Sequence, residues 1–141
     1  MKVSTKGRYA LRVMVDIAEN SKGSLIPIKD IVARQNLPHK YVESIMNTLA
    51  KSGLISGQHG KGGGYRLSRL PEEITAGEIL RVMEGELTPV SCLGDNAIEC
   101  PRKEECRTIS MWTGLYRLIN DYLDGITLAE LIRQNADNYM I

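Results

Sequence analysis

Between Pro27 and Leu67 two short helical patterns stand almost end to end, and a glycine-rich run follows them at once. Ile28, Ile31 and Val32 recur at the spacing of one helix face after Pro27, a residue tolerated in a first helical turn, and the pattern ends near Asn36. Pro38 opens a second helix in which Val42, Ile45, Met46 and Leu49 fall at i, i+3, i+4 and i+7, with Gly53 as its stop. Two helices separated by one tight turn predict a helix-turn-helix. Leu54-Ile55-Ser56 and Tyr65-Arg66-Leu67 read as short strands around Gly57-Gln58-His59-Gly60-Lys61-Gly62-Gly63-Gly64, which predicts a β-hairpin wing.

The flanking segments complete a mainly helical chain. Leu11, Met14, Val15 and Ala18 predict a first helix, and a capping box of Thr75 and Glu78 starts a fourth through Ile79, Leu80, Val82 and Met83 to Gly85. Residues 86–106 lack periodicity and hold all three cysteines, as a functional loop would. From about Glu104 to Leu123 a long helix is expected, with Trp112, Leu115, Tyr116, Ile119, Tyr122 and Leu123 on one side. A second capping box, Thr127 and Glu130, opens a short last helix. The expected fold class is therefore mainly α with a small β-hairpin wing. Residues 1–85 form a winged helix-turn-helix DNA-binding domain, 86–106 a cysteine-bearing sensor loop, and 107–141 a dimerisation helix and C-terminal helix. The wide apolar stripe of the long helix pairs with a second copy or packs back on the first helix; a homodimer is the expectation, since readers of this size commonly pair two half-site readers.

A net charge of +1 conceals a strong asymmetry. Residues 1–69 carry 12 Lys/Arg against 4 Asp/Glu, a net +8, whereas residues 70–141 carry 6 against 13, a net −7. A basic half of this kind is the footprint of a nucleic-acid surface, because each Lys or Arg that meets a phosphate releases condensed counterions. No apolar run approaches the roughly 20 residues of a membrane span, and the chain starts Met1-Lys2-Val3-Ser4 without an apolar signal region, so a cytoplasmic location and no membrane partner are expected. An enzyme is not expected. The lysine loop departs from a phosphate-binding loop, since Gly57 stands too close to Gly60-Lys61 and Gly62 follows the lysine. The cysteines have no nearby histidine or general base and form no CxxC pair.

Candidate DNA contacts follow from the element types. The N-terminal end of a recognition helix enters the major groove, which nominates Pro38, His39, Lys40, Tyr41 and Glu43. Lys40 can donate to guanine and Glu43 can accept from the cytosine amino group, unless Glu43 is simply a solvated helix residue. In the wing, Lys61 and Gly62 make a thin cationic strip suited to a narrow minor groove, with Ser56 and His59 beside it. Ser4 and Thr5 at the start of the first helix complete the set. Cys92, Cys100 and Cys106, spaced x7 and x5, are either three corners of a metal or iron-sulfur site or three free thiols; the spacing is not that of a zinc finger.

Several stretches together resemble the Rrf family of bacterial winged-helix regulators, which includes the IscR, NsrR and CymR types. They are Ser4-Thr5-Lys6-Gly7-Arg8-Tyr9-Ala10-Leu11-Arg12, Tyr41-Val42-Glu43, Gly62-Gly63-Gly64-Tyr65-Arg66-Leu67, Ile74-Thr75-Ala76-Gly77-Glu78-Ile79, Trp112, and Ile126-Thr127-Leu128-Ala129-Glu130-Leu131. The resemblance covers nearly the whole chain. It implies a homodimer formed through the long helix, a double-stranded DNA operator contacted by the third helix and wing, and a 2Fe-2S or related cluster on the three loop cysteines that alters DNA binding. The chain departs from the pattern at the fourth ligand. The iron-sulfur type places a histidine where this chain has Ile109, and the nitric-oxide type an acidic residue where it has Arg8; neither side chain can bind iron. Asp95, Glu99, Glu104, Glu105, a small thiol or water remain as candidates. His59 stands where many relatives have arginine. The alternative within the same class is a cofactor-free repressor of cysteine metabolism, controlled by a biosynthetic enzyme, which the C-terminal Asn138-Tyr139-Met140-Ile141 allows.

Overall fold

The computed structural model describes residues 1–139, apart from the side chains of 135–139. Helix α1 (Thr5–Asn20) is the central element. It packs against α2 (Ile28–Gln35), α3 (His39–Lys51), α4 (Ala76–Glu84), α6 (Leu128–Tyr139) and the second strand of the wing. Ala10, Val13, Met14 and Ile17 are its buried residues, with Leu11, Val15 and Ala18 half-buried at the edge. The buried face is thus turned by one residue from the stripe that the sequence suggests. Gly7, buried against Glu84 at the end of α4, lets that helix approach closely, and packing on α4 turns the buried face.

The α2–α3 turn is three residues long. Asn36 takes the left-handed conformation (φ 53°), which asparagine tolerates better than most residues, Leu37 is buried, and Pro38 caps α3. Helix α3 buries Val42, Ile45, Met46 and Leu49 as the spacing predicts. It ends in a Schellman motif: Leu54 N–H donates to Leu49 O (3.2 Å) and Gly53 N–H to Ala50 O (3.1 Å), with Gly53 at φ 85°. That cap turns the chain straight into β1 (Ile55–Gln58), which pairs antiparallel with β2 (Gly64–Leu67), Ser56 opposite Arg66. Tyr65 also exchanges two 2.8 Å backbone bonds with Ile26, and these tie the wing to the α1–α2 connection. Gly64 is required there, because a Cβ would lie 2.6 Å from the Ile26 carbonyl.

One charged side chain, Asp16, is buried at 2% exposure. Arg34 grips it in a bidentate pair (2.8 and 3.0 Å) and Gln35 adds a third donor at 2.9 Å. The bond to Asp16 raises the Arg34 guanidinium above its ordinary pKa against the opposing effect of burial. The chain of contacts continues outward: Arg12 donates to the Gln35 backbone carbonyl (2.6 Å) and lies over the Tyr9 ring, and Tyr9 meets Tyr41 of α3 edge-on at 5.6 Å. Polar groups of α1 and α2 thereby set the attitude of the recognition helix.

Of each expected capping box the N-cap half forms, Thr75 accepting from Glu78 N–H and Thr127 from Glu130 N–H, while the Glu78 carboxylate turns away to Arg69. The long helix starts later than expected. Residues 103–105 make only a short 3₁₀ turn, and α5 runs Ile109–Asp124. It has no buried residue, and its apolar residues divide into two faces rather than one. Trp112, Tyr116, Ile119 and Leu123 are half-buried, while Met111, Leu115, Leu118 and Tyr122 are exposed. Helix α6 returns to the first core. Ala76 N–H bonds Ile126 O (2.8 Å), Leu128 N–H bonds Ile74 O (2.9 Å), and Leu128 is completely buried against α1. Leu128 therefore shares a core with the first 85 residues although it follows α5. No helix among the described residues is long and apolar enough to cross a membrane.

Candidate nucleic-acid interface and cysteine cavity

The outer face of α3 is a polar strip. Lys40, Glu43, Ser44, Asn47, Thr48 and Lys51 line one shallow open groove, at helical spacing opposite the buried Val42, Ile45, Met46 and Leu49. Glu43 lies 3.6 Å from the His39 ring nitrogen, too far for a hydrogen bond, so its carboxylate is free to accept. Pro38, His39 and Lys40 are exposed at the helix start, as expected. Tyr41 is not: its ring is half-buried against Tyr9, so it braces α3 on α1 instead of lying along the outer strip. Ser44, Asn47, Thr48 and Lys51 were absent from the sequence-derived candidates. The signal for them was available, because on a helix whose inward face is known the residues three, four and seven positions along share the outward one.

The wing presents Ser56, His59, Lys61 and Gly62, all exposed. Gly60 and Gly62 have positive φ (95° and 80°) with open space around them, which makes a thin tip with Lys61 at its apex. Gly63, in contrast, is required by the fold, since a side chain there would strike the Gln58 carbonyl. Arg66, the cross-strand neighbour of Ser56, adds an exposed cation that sequence reasoning did not nominate.

Ser4 is otherwise engaged. Its hydroxyl accepts from Gly7 N–H (3.1 Å) as the α1 N-cap, and both its hydroxyl and its N–H (2.9 Å) donate to Glu84 at the end of α4. A carboxylate already stands at the α1 N-terminus, where a phosphate would otherwise be favoured. The Thr5 hydroxyl accepts from Arg8 (3.1 Å) and remains exposed.

The three cysteines are brought together. Cys92, Cys100 and Cys106 line one cavity of about 210 Å³ with Ala97, Ile98, Glu99, Lys103 and Ile109. All three are free thiols. Of the acidic candidates for a fourth ligand, Glu99 lines this cavity; Glu104 and Glu105 line an adjoining one that shares Glu99, Cys100 and Lys103 with it, and the backbone N–H of Asp95 is bonded to Glu86. Ile109 walls the cavity with hydrocarbon. The Thr108 hydroxyl, 3.4 Å from Cys106 Sγ, together with backbone N–H groups, holds the Cys106 thiol below its ordinary pKa. Among the described residues, no three His, Cys, Asp or Glu side chains are gathered tightly enough for a single metal ion. Three thiols around a cavity fit the donor chemistry of a cluster, whose cysteine thiolates bind different irons one by one and so need not converge on a single point.

The recognition helix, wing and central α1 define a winged-helix DNA-binding transcription regulator. The comparisons agree and narrow the class. Residues 3–134 match the Rrf2 family, described as an iron-dependent transcriptional regulator, and this chain belongs to that family. It is 36% identical to the HTH-type transcriptional regulator IscR of Aliivibrio salmonicida over 96% of this chain and 79% of that one. Among solved structures it is similar to CymR, the global cysteine regulator of B. subtilis (TM-score 0.77, 36% identity, 95% of this chain and 98% of that one). It is also similar to T. potens IscR (TM-score 0.73, 33% identity, 96% and 88%). These relatives are named as transcriptional regulators, not enzymes.

Proposed function

We propose that this chain is a homodimeric, sequence-specific operator-binding regulator whose DNA binding responds to an iron-sulfur cluster, a 2Fe-2S cluster foremost, held by Cys92, Cys100 and Cys106. The observation that carries the sensing half is the convergence of three cysteines, spread over fifteen residues, on one cavity at the start of α5. When bound, the cluster supplies a redox- and iron-sensitive occupant of that cavity. Glu99, which shares the cavity with the three cysteines, is the first protein candidate to complete its ligand set. The chain's own residues do the rest. Lys40 and Glu43 read base edges from the start of α3, Lys51 and Arg66 meet phosphates, and Lys61 enters the minor groove. The exposed face of α5 pairs two copies, so that two recognition helices meet two half-sites.

Two observations favour the second reading, a repressor of cysteine metabolism without a cofactor and controlled by a partner enzyme. The chain spans nearly all of a named cysteine regulator and carries Ile109 against the cavity. The Asn138–Ile141 tail that allows this reading lies outside the residues described in side-chain detail. Anaerobic purification separates the two. A brown protein containing iron and sulfide, and colourless when all three cysteines are serine, supports the first; a colourless wild type with full operator affinity supports the second.

For the DNA surface, Lys61→Ala is expected to weaken binding to operator and random duplex alike and to lower the salt slope by about one. Glu43→Ala is expected to lose about 1–3 kcal/mol of discrimination at one base pair. Competition binding against an operator series reads both, and unchanged base preference in the Glu43 variant would remove its readout role.

A further inference from the structure

The turn that carries Cys92 is held by the first residue of the cysteine-bearing segment 86–106. Ile98 N–H bonds Ser91 O (2.9 Å), which closes residues 91–98 into a compact turn next to Cys100. The tip of that turn is gripped by one side chain. The half-buried Glu86 carboxylate accepts the N–H groups of Asp95 and Asn96, the latter at 3.1 and 3.3 Å from its two oxygens. Gly94 makes room for it, since a Cβ there would lie 2.5 Å from Glu86 Oε2, and Gly94 takes φ 98°, a conformation that other residues avoid. The support behind Glu86 is rigid. Two residues earlier Glu84 is bonded to Ser4 at the α1 N-terminus, and the buried Leu87 follows, its carbonyl receiving Asn120 Nδ2 of α5 at 2.8 Å.

We propose that Glu86 is the positioning residue of the cysteine site: its carboxylate, through the N–H groups of Asp95 and Asn96, sets where Cys92 stands relative to Cys100 and Cys106. The use of that geometry for sensing rests on the proposed function. The geometry itself does not. No other side-chain hydrogen bond to the 91–98 turn exists among the described residues, so a charged acceptor at its tip decides whether the turn stays closed.

The test uses the full chain, reduced and freed of metal by chelation, with alkylation by iodoacetamide followed at each cysteine by mass spectrometry. In Glu86→Ala the loss of a charge-assisted pair of bonds opens the turn, and Cys92 should react about tenfold faster, while Cys106 changes less than about twofold. Glu86→Gln, which keeps an acceptor oxygen without the charge, should fall between. Gly94→Ala, which displaces the carboxylate without removing it, should also accelerate Cys92. A Cys92 rate within about twofold of wild type in both Glu86→Ala and Gly94→Ala overturns the proposal. So does an equal acceleration of Cys106, which reports loss of the whole loop rather than of the Cys92 position. A wild type that binds neither iron nor sulfide but shows the expected pattern sinks the sensing reading and upholds the positioning role.

Discussion

In the proposed homodimer, Leu118→Glu is expected to yield a monomer that keeps its fold and loses operator affinity by about two orders of magnitude or more, the scale of the avidity gained by joining two half-site readers. The substitution is benign within one chain, because Leu118 is 67% exposed on a helix with no buried residue, and glutamate is a good helix former. Between two chains it is severe. Met111, Leu115, Leu118 and Tyr122 follow each other at steps of four, three and four, the seam spacing of paired helices, and all four are exposed in the single chain. Each such residue gains about 1.5–3 kcal/mol when fully buried, and a two-fold axis counts every residue twice. Glutamate at the middle of the seam forfeits that burial and sets like charges against each other. Sedimentation equilibrium gives the mass and a mobility-shift titration the affinity; a variant that sediments as a dimer would remove α5 from the interface.

Arg34→Met is expected to cost about 3 kcal/mol of stability, because it leaves the Asp16 carboxylate buried without its cation. The loss stays toward the lower end for a broken buried pair, since the Arg34 side chain is itself 38% exposed and Gln35 still donates to Asp16. The reverse change should be milder. In Asp16→Asn the released guanidinium can turn into water, which leaves a cost of about 1–2 kcal/mol for the lost charged bonds. Urea titration gives both values, and the order matters more than the size. If Asp16→Asn were the more damaging of the two, the account of an orphaned buried charge would be wrong. Because Arg12 carries the same network to Tyr9 and Tyr41, operator affinity should fall in both variants even below their unfolding range.

The proposed operator surface was partly legible from residue types. Lys40, Glu43 and Lys61 stand where the pattern of a short recognition helix and a glycine-rich hairpin predicts, because burial of one helix face dictates what the other presents. Tyr41 shows the same rule in reverse. An aromatic residue one position from the buried Val42 can go to either side, and only Tyr9, on another helix, draws it inward. Ser4 shows the limit most plainly. Its identity announces a helix cap, but nothing local reveals that its hydroxyl also donates to a carboxylate 80 residues away. The cysteine spacing left a cluster site and three stray thiols equally open, and α5 was read with one apolar face where it has two.

What the residue order alone determined were the helix starts at Ser4, Thr75 and Thr127, the stop at Gly53, the hairpin and the charge asymmetry. The caps depend on bonds between residues three to five apart, the hairpin on two adjacent runs joined by a glycine-rich turn, and the asymmetry on composition, all of which can be read in one dimension. Tertiary structure alone decided that the three thiols share a cavity, that Glu86 grips their loop, that α6 returns to the first core, and which face of α5 is left open. Each of those follows from contacts between segments distant along the chain, whose packing energy has no local signature.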